Sequence, residues 1–177
     1  ILEGTLGLVL AFEPPEPGVM SRPPRPSRAP LLSPFLVWRV VTVSLVLAAI
    51  VLGVFFWARG QGRDLETART LVVNMFIAGE LFYLFNVRYL HASSISLRGA
   101  LGTPQVLIAT AVLLGAQALF TYAPFMQRIF DTRALPLSDL LLLLALAAAM
   151  MVLFEIEKTV LRRFGWLDPP AAAKVSA

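Results

Sequence analysis

Two acidic residues stand out in this sequence, because each lies in an apolar run that a membrane would surround. Glu80 lies near the middle of the apolar segment of residues 70–90, and Glu3 interrupts the apolar stretch of residues 1–12. An ionised carboxylate at the centre of a bilayer costs about 2.5–3.5 kcal/mol on insertion scales, so such a side chain usually faces the protein interior. Carboxylate oxygens suit hard cations, and the expected chemistry is binding of a cation or a proton.

Both acids also have a structural interpretation that involves no ion. Glu80 would then be a protonated carboxylic acid that is hydrogen-bonded to a neighbouring helix, and Glu3 would line a polar cavity at a helix end. On a helix with 100° per residue, Asn74 and Asn86 each lie 120° from Glu80, on opposite sides, whereas Tyr83 lies 60° away. Tyr83 and Asn74 are therefore candidates for a supporting role behind the cation ligands, and most ligands of Glu80's site must come from other helices.

Small and polar residues near these acids suggest how the helices pack. Gly79 permits close approach of a neighbouring helix to the backbone beside Glu80, and Gly4 and Gly7 are typical of a locally loosened helix that frees carbonyl groups for a cation. Gln117 and Thr121 are expected to form hydrogen bonds between helices.

The rest of the composition excludes most catalytic chemistry. The sequence has no cysteine, and its single histidine, His91, rules out an imidazole cluster. No phosphate-binding loop and no nucleophile with an adjacent base occurs in it. The net charge of +4 does not indicate nucleic acid binding, because the basic residues lie between apolar runs. We expect this chain alone to catalyse no reaction.

Composition and hydropathy then indicate the elements that position the two acids. The 177 residues are 58% hydrophobic and 15% charged, with a mean hydropathy of +0.76, so lipid is the expected partner of most of the surface. The predicted fold is an all-α membrane protein with four transmembrane helices, plus the C-terminal half of a preceding one at residues 1–12. The four predicted spans are residues 36–57, 70–90, 104–122 and 137–154.

The basic residues of the connecting segments predict how the chain is oriented across the membrane. Residues 13–35 contain most of the 13 prolines and should form an extended loop, and residues 165–177 should form a flexible tail. Ten of the 15 basic residues lie on the side of this loop and of the C-terminus, and five lie on the other side. Because loops rich in Lys and Arg stay in the cytoplasm, both segments are expected to be cytoplasmic.

The charged residues at the two ends of the last span are expected to lie at the membrane interfaces and to have no chemical role. Asp139 is expected at one membrane interface, and Glu155, Glu157, Lys158, Arg162 and Arg163 are expected to form a solvated helix end at the other. The chain also begins with Ile1 inside an apolar run, which favours a part of a longer polypeptide.

Several strings resemble one family, the cation-transporting P-type ATPases, which include calcium pumps. GTLGLVLAFEPPEPGVMSRPPR, from Gly4 to Arg25, resembles the end of the sixth membrane helix and the loop that follows it. ARTLVVNMFIAGELFYLFNVR resembles the eighth helix, and YAPFMQRIF resembles the end of the ninth. LPLSDLL and FEIEKTVLRR resemble the two ends of the tenth.

The resemblance implies roles for the two acids. Glu80 matches the acidic cation ligand of the eighth helix, and Glu3 stands where the family usually has an aspartate of the sixth-helix site. Two departures leave the ion open, since glutamate replaces aspartate and Leu2 stands where threonine is common. Calcium or another cation would be transported.

The resemblance also implies partners and a location. The whole pump would require ATP and magnesium, which this chain does not bind by itself. Lipid, the upstream membrane helices and the cytoplasmic domains of the same polypeptide are the expected partners. The expected location is a bacterial plasma membrane. The alternative is a self-contained four-span membrane scaffold or small channel, in which Glu80 joins helices.

Overall fold

The computed structural model describes residues 34–87 and 104–164, which form five helices and no strand. Glu3, most of the predicted proline-rich loop and the predicted C-terminal tail lie outside these residues. The helices are α1 (Pro34–Gly60), α2 (Leu65–Val87), α3 (Pro104–Tyr122), α4 (Pro124–Phe130) and α5 (Leu137–Arg163).

Local sequence signals explain where these helices begin and end. Proline is the first residue of α1, α3 and α4, a position where its missing N–H would have no helical partner. Asp64 caps α2, because its Oδ1 accepts a hydrogen bond of 2.8 Å from the backbone N–H of Thr67. The hydrogen bonds with Thr67 hold the pKa of Asp64 below its usual value. Asp131 ends α4 in the left-handed conformation, with φ of 48°, which aspartate tolerates better than most residues.

Two of the helices are long and apolar enough to cross a membrane, over Leu36–Gly60 and Leu137–Leu161. A third candidate consists of α3 and α4, if the bend of 76° between them lies within one broken span. Helix α2, which carries Glu80, is not among these candidates. The described residues therefore form an all-helical fold with two or three candidate spans.

Helix α2 is the centre of the packing. On one side its Leu71 and Met75 are buried in a core with Val54 of α1 and Leu143 of α5. On another side Ile77 and Leu84 pack with α3, in a second core completed by Val106, Ala109 and Leu113. The opposite faces of α1 and α3 expose large apolar side chains, as expected for helices that contact lipid.

Gly79 brings three helices together at one level. A Cβ atom at this position would lie 2.6 Å from Cδ1 of Leu47 on α1 and 3.4 Å from Cε of Met150 on α5. Such a contact with Leu47 is closer than side-chain carbons tolerate, so the absence of a side chain allows α1 and α2 to approach. The prediction that Gly79 permits close helix packing is confirmed.

We expect Gly79→Leu to destabilise the protein by about 1–3 kcal/mol, because the new side chain would force Leu47 and Met150 apart. Gly53→Leu on α1 is the matched control, since a Cβ there meets no atom within 4 Å, and it should not destabilise the protein because leucine favours the helix more than glycine does. Thermal unfolding in detergent measures both variants. Equal melting temperatures for the two would contradict the close packing at Gly79.

Candidate functional site

Glu80 lies at half the depth of the helix bundle. Its neighbour Gly79 packs between Leu47 and Met150, and each of these is the central residue of its 27-residue helix, α1 or α5. Thirteen residues of helix, about 20 Å, therefore separate this level from either helix end. The carboxylate at this level belongs to a half-buried side chain.

The other residue proposed from sequence as a cation ligand, Glu3, lies outside the described residues. Within residues 34–87 and 104–164, no group of three or more His, Cys, Asp or Glu side chains is close enough to hold a metal ion. The structure therefore places Glu80 at mid-depth of the helix bundle.

Asn74 joins α2 to α3 through a side-chain hydrogen bond. Its Nδ2 donates 3.1 Å to Oγ1 of Thr121 and 2.9 Å to the carbonyl oxygen of Thr70, and both Asn74 and Thr121 are buried. Thr121 thus forms the expected hydrogen bond between helices, whereas Gln117 lies 3.5 Å from Thr121 Oγ1 within α3. Asn74 lies six residues, or about 9 Å along the helix axis, from Glu80.

Tyr83 follows Glu80 along α2, whereas Asn74 precedes it. Its ring meets the edge of the Phe154 ring at a centroid distance of 5.7 Å. The guanidinium carbon of Arg39 lies 5.7 Å from the Tyr83 ring centroid and 5.2 Å from that of Phe154. Tyr83 therefore links the level of Glu80 to a charged network at one end of the bundle, through aromatic and cation–π contacts.

Asn86 is the centre of this network. Its Oδ1 accepts a hydrogen bond of 2.5 Å from Nη2 of Arg39 on α1, and its Nδ2 donates 2.9 Å to Oε1 of Glu155 on α5. Arg39 also donates from Nη1 to Oε2 of Glu157 at 2.6 Å. Arg39 and Asn86 are almost completely buried. The network thereby joins the first, second and last of the described helices at one end.

Lys158 completes the network and caps α2. Its Nζ donates 2.6 Å to the carbonyl oxygen of Asn86 and 3.1 Å to Oε1 of Glu155. The last four carbonyl groups of a helix have no partner within it, and a cation there also matches the negative end of the helix dipole. Among the described side chains, the two cations Arg39 and Lys158 equal the two acids Glu155 and Glu157 in number.

This network contradicts the prediction that the C-terminal end of α5 is solvated. Lys158 is only 1% exposed and Glu155 is 8% exposed, so neither is solvated, although Arg163 beyond them is exposed. The prediction was wrong because it considered only partners on the same helix, four or fewer residues away. A signal was available: antiparallel spans place Arg39, Asn86 and Glu155 at one end of the bundle, with charges that can pair.

A second set of ion pairs joins the helices at the other end. Asp139, in the first turn of α5, is bound by both Nη atoms of Arg63, with Nη2 at 3.0 Å from Oδ1. The hydrogen bond with Asp139 raises the pKa of Arg63. Arg133 pairs with Asp64 at 2.6 Å and with Glu66 at 2.9 Å. Asp139, expected at a membrane interface, is at a helix end but is buried in this pair.

The chain is similar to known proteins over most of its length. Residues 1–160 match a family model described as "Cation transporting ATPase, C-terminus". A probable cation-transporting ATPase F of Mycobacterium tuberculosis is 38% identical over 152 residues, which cover 86% of this chain and 17% of that protein. The calcium-transporting ATPase 1 of Schizosaccharomyces pombe is 30% identical over 165 residues, covering 93% of this chain and 18% of that protein. The chain thus spans less than a fifth of these relatives.

The buried charges predict a specific pattern of stabilities. We expect Lys158→Met to cost about 3–5 kcal/mol, because it leaves Glu155 buried without its cation and removes a donor from the Asn86 carbonyl. Adding Glu155→Gln should recover part of this loss, since the amide oxygen can still accept from Asn86 without carrying a charge.

Arg163→Met, at the exposed end of the same helix, is the control and should change stability by no more than about 0.5 kcal/mol. Thermal or denaturant unfolding in detergent measures all of these variants. If Lys158→Met is as stable as Arg163→Met, the lysine is not part of a buried network.

Proposed function

Because the chain belongs to the family of cation-transporting ATPase C-termini, we propose that it forms the C-terminal membrane part of an ATP-driven P-type cation pump. In this proposal Glu80 is an acidic ligand of the transported cation at the membrane midplane. ATP and magnesium serve the whole pump, through domains that this chain does not include. The transported cation, calcium or another, is the substrate that passes Glu80.

The observation that carries this proposal is the depth of Glu80. Gly79 packs against the central residues of α1 and α5, so in a membrane the adjacent carboxylate would lie at the level where a charge is most costly. A functional requirement would explain a glutamate at this level, where an apolar residue would pack without this cost. Binding a cation in transit is such a requirement.

A cation site requires more oxygen atoms than one carboxylate supplies, since calcium takes six to eight. We propose that Glu3 is a second ligand and that upstream membrane helices of the same polypeptide supply others. Tyr83 and Asn74 would act behind the ligands, by holding α2 against its neighbours. The glutamate at position 3 and the leucine at position 2 distinguish this site from the usual family pattern and leave sodium, magnesium and manganese as candidates beside calcium.

The remaining helices would brace the site during transport. Phosphorylation in the cytoplasmic domains would rearrange the membrane helices, so that the same carboxylates face first one side of the membrane and then the other. The carboxylates would carry protons on the return step. Since ion pairs and hydrogen bonds join α1, α2 and α5 at both ends, we expect these three helices to move as one unit.

The proposed topology has four complete spans, with α2 among them. Contacts of Arg39 with Asn86 and with Glu157 bring the start of α1 together with the ends of α2 and α5, as alternating spans require. We propose that this end, with the proline-rich loop and the C-terminus, faces the cytoplasm, and that the membrane is a bacterial plasma membrane. The family match favours this pump over a self-contained scaffold or channel.

The direct test is Glu80→Gln in the full-length pump, with phosphoenzyme formation from ATP measured across a panel of cations. We expect the cation concentration required for half-maximal phosphorylation to rise at least about tenfold, because the amide loses the charge that attracts the ion. Glu80→Asp should retain part of the affinity, since the charge remains.

Glu66→Gln is the matched control, because it removes an acid from the same helix, 14 residues or about 21 Å from Glu80. Its cation dependence should be that of the wild type. Unchanged cation affinity in a folded Glu80→Gln pump would exclude Glu80 as a ligand, and melting temperatures in detergent establish that the variant is folded.

A further inference from the structure

An apolar groove lies between three helices on the side of α2 that faces α3 and α5. Its volume is about 460 Å³, its floor includes Ile77 and Leu81 of α2, and its walls include Ala118 of α3 and Leu143 of α5. Leu114 and Leu144 line opposite walls, and they are 51% and 53% exposed. Among the described residues the groove is therefore open between these two walls, where lipid could enter it in a membrane.

A polar pocket of about 370 Å³ follows this groove at the end of α3, around α4. Two cations and two acids line it: Glu66, Arg128, Asp131 and Arg133. Arg133 is already bound to Asp64 and Glu66. Arg128 and Asp131 are exposed and form no ion pair within residues 34–87 and 104–164. The pocket thus offers one cation and one anion to a ligand.

The order of the two cavities matches the depth profile of a bilayer. Along α2, the polar pocket lies at Glu66, and the groove extends to Leu81, about 22 Å further along the helix axis. Helix α4 is bent by 76° from α3, so it lies close to the membrane plane if α3 crosses the membrane. Its Phe125, Ile129 and Phe130 are more than half exposed, as expected for a helix in the interface.

We propose that these two cavities together bind one phospholipid with a zwitterionic headgroup of the phosphoethanolamine type. One acyl chain lies in the groove between α2, α3 and α5. The phosphate accepts hydrogen bonds from Arg128, and the ammonium group donates to the carboxylate of Asp131. The headgroup pocket lies at the end of the bundle opposite the Asn86 network, and Glu80 lines neither cavity.

Charge complementarity favours this headgroup over an anionic one. Arg133 is paired with two acids, Asp64 and Glu66, which leave one negative charge in excess, so Arg128 is the cation left for a phosphate. A headgroup that carries a phosphate but no cation, such as that of phosphatidylglycerol, would leave Asp131 beside a negative charge. An ammonium group instead gives Asp131 a partner, and charge-assisted hydrogen bonds of this kind are among the strong ones.

The test is native mass spectrometry of the purified full-length protein, titrated with phosphatidylethanolamine or phosphatidylglycerol of identical acyl chains. The wild type should bind phosphatidylethanolamine more tightly. Arg128→Gln should weaken this binding about tenfold, as expected for loss of a hydrogen bond to a charged group. Asp131→Asn should abolish the preference between the two lipids, and asparagine suits the left-handed conformation of this residue.

Matched controls separate the site from the general lipid shell. Ala118→Phe fills the groove and should reduce binding of both lipids, whereas Ala116→Phe, also exposed but 200° around the same helix, should not. Arg69→Gln removes an exposed arginine near the same end of α2 that does not line the pocket, and it should leave the lipid preference unchanged.

Two outcomes would overturn the proposal. Equal affinity of the wild type for the two lipids would mean that the polar pocket does not recognise the headgroup. Equal lipid binding by Ala118→Phe and Ala116→Phe would mean that the groove holds no acyl chain, and a lower melting temperature of Ala118→Phe in that case would indicate a polypeptide segment in the groove. Neither result depends on the cation affinity of Glu80, so the two proposals can fail separately.

Discussion

The helix arrangement of this protein depends on α2, because its polar side chains lie away from water and need hydrogen-bond partners. Helix α2 carries Asn74, Glu80 and Asn86 at three levels, while apolar helices pack on both sides of it. Because an unpaired polar group in an apolar environment costs several kcal/mol, each level requires partners from neighbouring helices. Asn74 uses Thr121 of α3, and Asn86 uses charged groups of α1 and α5. These partners determine which helices stand beside α2.

The three levels of α2 differ in how they are joined to the other helices. At one end, two cations and two acids around Asn86 join three helices, and at the other end Arg63 joins the α1–α2 connection to Asp139 of α5. Between them, Gly79 lets α1 approach the backbone next to Glu80. Glu80 is thus carried on the helix that is joined to its neighbours at both ends. Helix α3 is joined to α2 by fewer polar contacts, and the open groove lies along it.

Much of this could be predicted from the amino acids in their order. An uncharged run long enough for a bilayer can only be helical there, because its backbone hydrogen bonds must be made within the segment. The proline at the start of α3 indicates the beginning of a helix in the sequence, and the helix does begin there in the structure. The mid-depth position of Glu80 also follows from counting residues along its apolar segment, and the glycine before it indicated the close packing that the structure contains.

Pairing between helices was decided by the tertiary structure alone. The sequence places Lys158 one turn from Glu155, which is equally compatible with a solvated helix end, but the structure buries both because Asn86 and Arg39 arrive from two other helices. Likewise, the lining of the groove combines residues of α2, α3 and α5 that are far apart in the chain. A sequence determines the depth and helical character of each segment, since these depend on local composition. Which side chains meet depends on helix rotation and distance, which arise only when the helices pack.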